Sequence, residues 1–569
     1  ANVSTTTSIA SLAVTDAWGN TQDDFLSTTL VIYGVTGADG ITTFTLKQDQ
    51  TTGLKTELTA ALDSSSSTKS TLPVVFTVLT SPDSPKAKFW GHMAETATGD
   101  DGLIYRRPLL RDENSATTSI GTLVEEGEAW STFPSGQAND TSINGCGAEY
   151  VPTDNELRAI YAHQGSSALH DAIGWPVSRF YISNTVADTF TQTFTYDVVS
   201  LKTGDETQMP SSGGALLSCR TTPVAVASQI IVEANDTAQF VKVDDTLSAL
   251  KVKKGEDAVI RVVTKNAQGN SVPNVPFILR REGSKNRQNA EMINKSITVI
   301  NAAGASARMN SSSSLLYGVT GADGTTSFTV KQDDSMGLVT NMYAQLYQLT
   351  IESNKLPVMF TVITSPDTPL ASYWGHMSET FTTRSGIAFK RPLLTAEHPA
   401  GQSTMANNES WLSLNTAAKN DVSKSDCGEP YQPLLSEFQE LYSEHPNGAI
   451  GTDLGLPLTN TWWAYDKIAY ANVWYDQSIN LSNGSSSRAL SNTVAFVSCL
   501  VNPHAVAASI KMTSTALDAE KTASNDGRPS ATAAKGTAIR MTVIVRDSGG
   551  NLLPGANFNL IRGTALVTL

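Results

Sequence analysis

The sequence predicts a mostly β, multidomain protein in which tandem immunoglobulin-like β-sandwiches alternate with mixed α+β modules in an elongated rod. Three observations support this prediction. The segment 33–40, Tyr-Gly-Val-Thr-Gly-Ala-Asp-Gly, returns unchanged at 317–324. Short runs alternate β-branched with polar residues and end at turn residues. Four cysteines occupy matched places in the two repeats. A repeat this long is a multidomain unit, because solenoid repeats span about 20–50 residues.

The repeat continues through other stretches, since the Trp-Gly-His-Met of 90–93 returns at 374–377. We therefore divide the chain into five parts. They are an N-terminal half-sandwich that holds the later strands (1–84), a first mixed module (85–222), a central sandwich (223–367), a second mixed module (368–505) and a C-terminal half-sandwich that holds the earlier strands (506–569). The half-sandwiches suggest a fragment of a longer array, or halves that pair between neighbouring molecules by strand exchange.

The central sandwich has a β pattern throughout. The run 257–264 mixes β-branched residues with a polar face, and 325–330 alternates cleanly after the Asp323-Gly324 turn. About seven short strands of this kind are typical of an immunoglobulin-type antiparallel sandwich. The central sandwich contains no cysteine, so we expect packing alone to hold its core.

Each mixed module carries one clear helical signal. Apolar residues fall at i, i+3 and i+4 behind capping residues in 154–161 and again in 436–442. A Gly-Trp-Pro turn (174–176) or a Gly-Leu-Pro turn (455–457) follows, and then an aromatic-rich stretch. These patterns predict one or two helices packed on a small antiparallel sheet in each module.

The cysteines form one pair per mixed module. Cys146 and Cys219 lie in the first module, and Cys427 and Cys499 lie at almost the same spacing in the second. This regularity predicts two disulfides within modules, formed in an oxidising compartment. Four free buried thiols are the alternative. Zinc is disfavoured, because no Cys-x-x-Cys or His-x-x-x-His spacing accompanies the cysteines.

The charge balance disfavours several partners. The formal net charge is −14, without a cluster of lysine and arginine. Nucleic acid is therefore a poor partner, since its binding depends on neutralising phosphates, and an anionic bilayer would repel the protein. No apolar run reaches the roughly 18 residues of a transmembrane helix. No cofactor or metal is predicted.

Two sets of motifs resemble the intimin/invasin family. Cys-Gly followed by Val-Pro-Thr-x-x-Glu-Leu (146–157), the Gly-Trp-Pro turn and a closing Ser-Cys resemble that family's C-type lectin-like domain. The phrases Gly-Ala-Asp-Gly (37–40) and Leu-Pro-Val-Val-Phe-Thr-Val (72–78) resemble its bacterial immunoglobulin-like repeats. The resemblance covers nearly the whole chain. It implies that the mixed modules are lectin-like domains and that they belong to an adhesin of the inverse autotransporter type.

The resemblance implies a function in virulence at the bacterial cell surface. The chain would be an extracellular passenger, anchored in the outer membrane by a β-barrel that is absent from this sequence. It would attach to host cells or matrix through a host surface protein or glycan. One alternative is a structural stalk, or a spacer that self-associates in aggregation or biofilm. A carbohydrate-active enzyme is a weaker alternative.

The case for an enzyme is thin. The sequence lacks the serine-hydrolase elbow, the zinc-protease helix motif and the phosphate-binding loop. Only recurring acids favour a glycosidase, because such enzymes need paired carboxylates. Glu95 recurs as Glu379, and Glu113 recurs as Glu397. We therefore predict a protein that is not an enzyme.

Aromatic residues are the candidate ligand contacts, because tyrosine and tryptophan contribute large contact areas with few rotatable bonds. The candidates are Trp462, Trp463, Tyr465, Trp474 and Tyr475 in the second module, and Phe180 and Tyr181 in the first. The alternative is that these rings fill the core of the sheet. A lectin-type calcium site is disfavoured. The nearest motif is Glu429-Pro430-Tyr431, in which Tyr431 does not supply the hard oxygen ligand that calcium requires.

Three further features have structural interpretations. His92 and His376 are expected to pack at junctions between a sandwich and a mixed module. The basic pairs Arg106-Arg107 and Lys390-Arg391 are expected to be surface or interdomain pairs rather than an anion site. The proline-containing joints 81–85 and 365–369 are expected to be stiff, since proline fixes φ.

Overall fold

The structure of the protein is a computed structural model. It describes residues 12–561 apart from 26–30, 50–52, 64, 80–83, 115–119, 126, 139, 142–145, 166–167, 188, 244, 294, 311, 333–335, 348, 364–366, 400, 472, 491, 515–516, 523–528, 532, 555, 557 and 559. Residues 81–83 and 365–366 of the two predicted joints lie outside the described residues. Among the residues described, no helix is long and apolar enough to cross a membrane.

The N-terminal half-sandwich contains five described strands. They are β1 (Leu12–Thr15), β2 (Thr21–Phe25), β3 (Thr45–Lys47), β4 (Leu54–Leu62) and β5 (Ser65–Phe76). Strand β1 pairs antiparallel with both β2 and β3, and β4 pairs antiparallel with β5. Many of its large apolar side chains are exposed, including Tyr33, Leu62 and Leu72.

The described residues of the first mixed module form two helices and nine short strands. The helices are α1 (Asp154–Gln164) and α2 (Ala168–Ile173). The strands are β6 (Thr96–Thr98), β7 (Ile104–Arg106), β8 (Gly121–Glu125), β9 (Glu128–Pro134), β10 (Tyr181–Ala187), β11 (Thr195–Val199), β12 (Glu206–Pro210), β13 (Gly214–Ala215) and β14 (Cys219–Arg220). They form three antiparallel sheets, ordered β6-β7-β14, β8-β9-β13 and β10-β11-β12.

Helix α1 begins with a reciprocal capping box. Thr153 Oγ1 accepts the Glu156 backbone N–H at 3.2 Å, and Glu156 Oε2 accepts the Thr153 N–H at 3.0 Å. These bonds satisfy two donors that a helix start leaves free. Leu157 and Ile160 on the same face are buried, so the predicted periodicity does place the helix on the core.

The described residues of the central sandwich form eleven strands in two sheets. They are β15 (Gln229–Ala234), β16 (Phe240–Lys242), β17 (Ser248–Lys253), β18 (Ala258–Lys265), β19 (Pro276–Arg281), β20 (Ile297–Asn301), β21 (Ser306–Met309), β22 (Leu316–Val319), β23 (Thr325–Lys331), β24 (Leu338–Leu346) and β25 (Leu356–Thr361). One sheet is ordered β15-β18-β23-β20-β21, and the other is ordered β16-β17-β25-β24-β19-β22. The expected number of about seven was too low, because it did not include short edge strands such as β16 and β21.

The core of the central sandwich is apolar and holds without a disulfide. Alternate residues of β24 are buried, from Leu338 through Met342 to Leu346. Strand β17 pairs parallel with β25, while the other strand pairs of the sandwich are antiparallel. This parallel pairing joins an early strand of the sandwich, β17, to its last strand, β25.

The second mixed module repeats the first with a more continuous sheet. Its helices are α3 (Val422–Ser425), α4 (Leu435–Glu444) and α5 (Ala449–Asp453). Its strands are β26 (Thr380–Thr382), β27 (Ala388–Lys390), β28 (Gln402–Ala406), β29 (Glu409–Asn415), β30 (Trp462–Tyr470), β31 (Val473–Asn480), β32 (Ser485–Ala489), β33 (Val494–Phe496) and β34 (Cys499–Leu500). Six of them form one sheet, ordered β28-β29-β33-β30-β31-β32.

The C-terminal half-sandwich contains β35 (Ser509–Ser514), β36 (Leu517–Thr522), β37 (Pro529–Ala531) and β38 (Met541–Arg546). Strand β35 pairs antiparallel with β38 in the way that β15 pairs with β18 in the central sandwich. Ile510 and Met512 on β35 are exposed.

Both predicted disulfides are confirmed. Cys146 bonds to Cys219 with their Cα atoms 5.8 Å apart, and Cys427 bonds to Cys499 with their Cα atoms 5.6 Å apart. Each bond ties the segment before the main helix to the last strand of its module. No cysteine of the chain is left free.

The first mixed module inserts an aromatic loop into the central sandwich. Phe190, in the loop between β10 and β11, is 4% exposed and belongs to the core of the sandwich. Its carbonyl accepts the Tyr317 N–H at 2.8 Å. Beside it, Phe194 meets the rings of Tyr317 and Tyr347 edge to face. The two parts therefore share a packed core at this junction.

Candidate functional site: the two mixed modules

A buried arginine organises the same corner of both mixed modules. In the second, Arg391 makes two hydrogen bonds to Glu397, at 2.8 and 2.6 Å, and lies 3.1 Å from Glu379. In the first, Arg107 makes the equivalent bonds to Glu113 at 2.7 and 2.6 Å. Such bidentate pairs are among the stronger ionic contacts in proteins. Both guanidiniums are buried, which corrects the expectation of a surface position for these two arginines, whereas their neighbours Arg106 and Lys390 are exposed.

The arginines explain why the acids recur. Burial works to raise the pKa of Glu113 and of Glu397, but the hydrogen bonds and charge of the arginine outweigh it and lower both. Each glutamate also accepts a backbone N–H, that of Leu110 or Leu394. A cleft of about 270 Å³ adjoins the second cluster. The arginine beside this cleft is already paired with two carboxylates.

His376 lies between two buried carboxylates at the start of the second mixed module. Its Nδ1 is 3.2 Å from Asp367 Oδ2, and its Nε2 is 3.1 Å from Glu409 Oε1. Burial works to lower the pKa of His376, but bonds to Asp367 and Glu409 outweigh it and raise it to about 9. His92 occupies the same place in the first module, 3.7 Å from Glu128. Both histidines are buried at a junction, as expected.

The segment around His376 also joins the module to the central sandwich. Trp374 is 7% exposed and packs with Met359 of the sandwich. The Arg287 guanidinium lies 4.6 Å from the centre of the Trp374 ring, a cation–π contact. From the other side, Gly455 approaches so closely that a Cβ there would lie 2.0 Å from the His376 carbonyl oxygen. Only glycine fits this turn, since its φ is also +70°.

The structure buries three of the seven predicted ligand contacts. Trp462, Trp463 and Tyr181 are at most 2% exposed. Their polar atoms are satisfied inside the module: the Trp463 indole donates to Leu414 O at 2.7 Å, and the Tyr181 hydroxyl donates to Pro176 O at 2.6 Å. Trp462 and Trp463 point to opposite faces of β30, and each lies in a separate apolar cluster, so both faces are covered at this end of the strand. This burial matches the alternative that these rings fill the core.

The other four predicted contacts lie at or near the surface. Trp474 is 40% exposed, and Tyr465, Tyr475 and Phe180 are half-buried. The structure brings Trp474 and Tyr475 onto β31 of one hairpin, whereas Phe180 lies in the other module. Exposed Ile468, Tyr470 and Val473 continue the apolar tip of that hairpin. These residues remain predicted contacts.

A polar cleft in the second mixed module was not predicted. Its volume is about 180 Å³, and it is lined by Lys419, Asn420, Glu429, Tyr465 and Lys467. We call it the Lys419 cleft. Of its members, the sequence singled out Tyr465 as a contact and Glu429 only as part of a failed calcium motif. Comparison of the two modules would have given a signal, because an alanine occupies the position of Lys419 in the first.

Two family models match the chain, in alternation. The model described as the InvE adhesion domain matches residues 82–220 and 366–500. The model described as bacterial immunoglobulin-like 21 matches residues 4–79 and 255–363. These matches confirm the predicted mostly β, multidomain organisation with immunoglobulin-like sandwiches. The C-type lectin-like character of the mixed modules stays a prediction.

Solved structures give a weaker comparison. The chain is similar to the adhesin InvE of Yersinia pseudotuberculosis, with 21% identity over 57% of this chain and 96% of that one, at a TM-score of 0.40. It is also similar to the D0-D1 domains of intimin, with 11% identity over 32% of this chain and 99% of that one, at a TM-score of 0.14. Scores this low carry no argument about function. No curated protein sequence matches significantly.

Proposed function

Because the chain belongs to the intimin/invasin family of bacterial adhesins, we propose that it is an extracellular passenger segment that attaches bacteria to host cells or matrix. The observation that carries the proposal is the position of the adhesion-domain matches, which fall on the two mixed modules. Attachment would therefore reside in these modules, and the sandwiches would space them from the bacterial surface. The partner would be a host surface protein or glycan, and no turnover is involved.

The junctions support the assignment of attachment to the mixed modules and of spacing to the sandwiches. Phe190 of the first mixed module is part of the sandwich core, and Trp374 of the second packs on the same sandwich from its other neighbour. Shared cores of this kind resist bending more than a flexible tether does. Two modules held at a fixed separation can bind a surface together, so that modest single contacts combine.

The exposed hairpin of the second module supplies the contact surface that this proposal needs. Trp474 and Tyr470 are 40% and 57% exposed. The Arg488 guanidinium lies 3.9 Å from the centre of the Tyr470 ring. Aromatic and arginine side chains are enriched among the residues that dominate binding energy at interfaces. The hairpin is therefore the first place to test.

The test is saturable binding of the labelled, oxidised chain to epithelial cells and to matrix proteins, before and after enzymatic removal of glycans. Binding that survives glycan removal would indicate a protein receptor, and binding that disappears would indicate a glycan. Trp474→Ala should weaken binding, whereas Trp18→Ala, a matched loss of an exposed tryptophan from the N-terminal half-sandwich, should not. Absence of saturable binding to any surface would overturn the proposal and leave a spacer as the better account.

A further inference from the structure

The Lys419 cleft contains a lysine whose position is costly. The Lys419 side chain is 1% exposed, and lysine is almost never fully buried unless its charge is paired. Its Nζ donates to the Ala464 carbonyl at 3.1 Å and lies 3.2 Å from Asp476 Oδ1. It also lies 5.4 Å from the centre of the Trp463 ring. The free-energy cost of taking this charge out of water must be offset by the contacts that the lysine makes.

The partners of Lys419 do not fully offset its burial. Desolvation lowers the pKa of Lys419, and the attraction of Asp476 and Glu429 does not restore it. Lys467, in the same cleft, lowers it further by repulsion. The two ammonium groups would both gain from an added negative charge. This balance favours an anionic group in the cleft.

The polar character extends into the wall behind the cleft. Gln432 is 2% exposed, and its Nε2 donates to the Lys419 carbonyl at 3.0 Å and to Asn420 Oδ1 at 2.8 Å. These bonds fix the backbone that carries Lys419 and orient the Asn420 amide at the rim. Gln432 Oε1 finds no hydrogen-bond partner among the described residues. This acceptor adds to the polar character of the wall.

The first mixed module shows that the fold does not need this cluster. When the modules are aligned on Cys146 and Cys427, Ala138, Val151 and Ile182 take the places of Lys419, Gln432 and Trp463. These three pack together in an apolar cluster. The same scaffold is thus built with an apolar wall once and a polar one once. A buried polar cluster that the fold does not require is a candidate ligand site.

The lining indicates what that ligand is. Lys419 and Lys467 suit a carboxylate, while Asn420, Glu429 and the Tyr465 hydroxyl can donate to or accept from hydroxyl groups. The volume of about 180 Å³ lies below the roughly 300–1,000 Å³ typical of drug-sized sites, and so suits a single ring. We propose that the Lys419 cleft binds a small ligand that carries both a carboxylate and hydroxyl groups, the chemistry of an acidic sugar residue.

This inference rests on the proposed function, because an acidic sugar at the end of a host glycan would be one receptor for an adhesive module. It also implies that the two mixed modules differ in what they bind. The first lacks every charged member of the cleft, since Ala138, Ala148 and Val186 stand at the positions of Lys419, Glu429 and Lys467. The two modules would then bind different partners.

The test is calorimetric titration of the full oxidised chain with glucuronate, with glucose and with acetate. Glucuronate should bind at one site per chain. Glucose lacks the carboxylate and acetate lacks the hydroxyl groups, so each should bind at least about tenfold more weakly, the usual effect of losing contacts to a charged group. Absence of saturable glucuronate binding, or equal binding of acetate, would overturn the inference.

Variants locate the site. Lys467 is exposed, so Lys467→Ala should leave the fold intact and weaken glucuronate binding about tenfold. Tyr465→Phe should weaken it less. Lys202→Ala, the loss of an exposed lysine in the first module, is the matched control and should change nothing. If Lys467→Ala behaves like the control, the site is not this cleft. Cell attachment without glucuronate binding would sink only this inference, whereas glucuronate binding without cell attachment would sink the proposed function.

Discussion

The rings of Phe190 and Phe328 lie nearly parallel, at 14°, with their centres 6.2 Å apart, although one residue belongs to the first mixed module and the other to the central sandwich. Phe328 is a buried member of the sandwich core, and Phe190 completes that core from outside. Phe190 also holds a left-handed backbone conformation with a φ of 55°, which a bulky residue adopts at a cost. The junction is therefore part of the fold of the sandwich.

Phe190→Ala should destabilise the central sandwich by about 3–5 kcal/mol, because it removes a large buried ring and leaves a cavity. Thermal unfolding followed by calorimetry would measure the change. Phe240→Ala, at a ring that is 39% exposed on the same sandwich, should cost far less. Equal effects of the two substitutions would show that Phe190 does not pack in the core.

Arg391→Met should destabilise the second mixed module by about 3–5 kcal/mol, because it leaves the partly buried Glu397 and its neighbour Glu379 without their cation. Denaturant unfolding monitored by tryptophan fluorescence is the measurement, since Trp462 and Trp463 report on this core. Arg384→Met, at an exposed position of the same module, should stay within about 0.5 kcal/mol of the wild type. A small effect at Arg391 would contradict the buried clamp.

The second mixed module should lose stability as the pH rises from about 6.5 to 9. The pKa of His376 is raised to about 9 in the folded protein, against about 6.5 in an unfolded chain. Its protonated form therefore stabilises the fold fully below 6.5, and that contribution disappears as the pH passes 9. The loss is at most about 3 kcal/mol.

His376→Asn should flatten this pH dependence, because it removes the titrating group between Asp367 and Glu409. The unfolding free energy at several pH values between 6 and 10 would show the change. His163→Asn, at a 45% exposed histidine of the first module, is the control and should keep the wild-type slope. A wild-type protein without any such slope would contradict the raised pKa.

Reduction of the disulfides should lower the stability of both mixed modules more than that of the central sandwich. Each bond closes a loop of more than 70 residues, which stabilises by about 4 kcal/mol in the chain-entropy model. The sandwich has no cysteine, so reduction affects it only through its junctions, such as the one at Phe190. Calorimetry with and without reductant would separate the transitions. A sandwich transition that shifts equally would show that the modules and the sandwich unfold together.

Local patterns predicted what depends on neighbours in sequence. The alternation of 325–330 predicted a strand, and the apolar spacing of 154–161 behind capping residues predicted α1. The matched cysteines gave both disulfides. The insertion of Phe190 into the sandwich core could not be predicted, because it depends on how the two parts of the chain meet in three dimensions. In the sequence, Phe190 does not differ from any other aromatic residue in a loop.

The candidate site was less predictable, for a related reason. Strand alternation places Trp462 and Trp463 on opposite faces of β30, and the sequence does not reveal that both faces are covered there, so both were candidates alongside Trp474. Lys419 carries no motif, because a single lysine in a turn normally lies in solvent. Its burial depends on Trp463 and Asp476, which come from two distant strands.

Photo-crosslinking of the oxidised chain bound to epithelial cells would show whether the mixed modules carry attachment. Mass spectrometry would then map the residues joined to host molecules. Crosslinks should concentrate in 85–222 or 368–505, with the hairpin around Trp474 and the Lys419 cleft among them. Crosslinks concentrated in the central sandwich at 223–367, or joining only copies of this chain, would contradict that prediction.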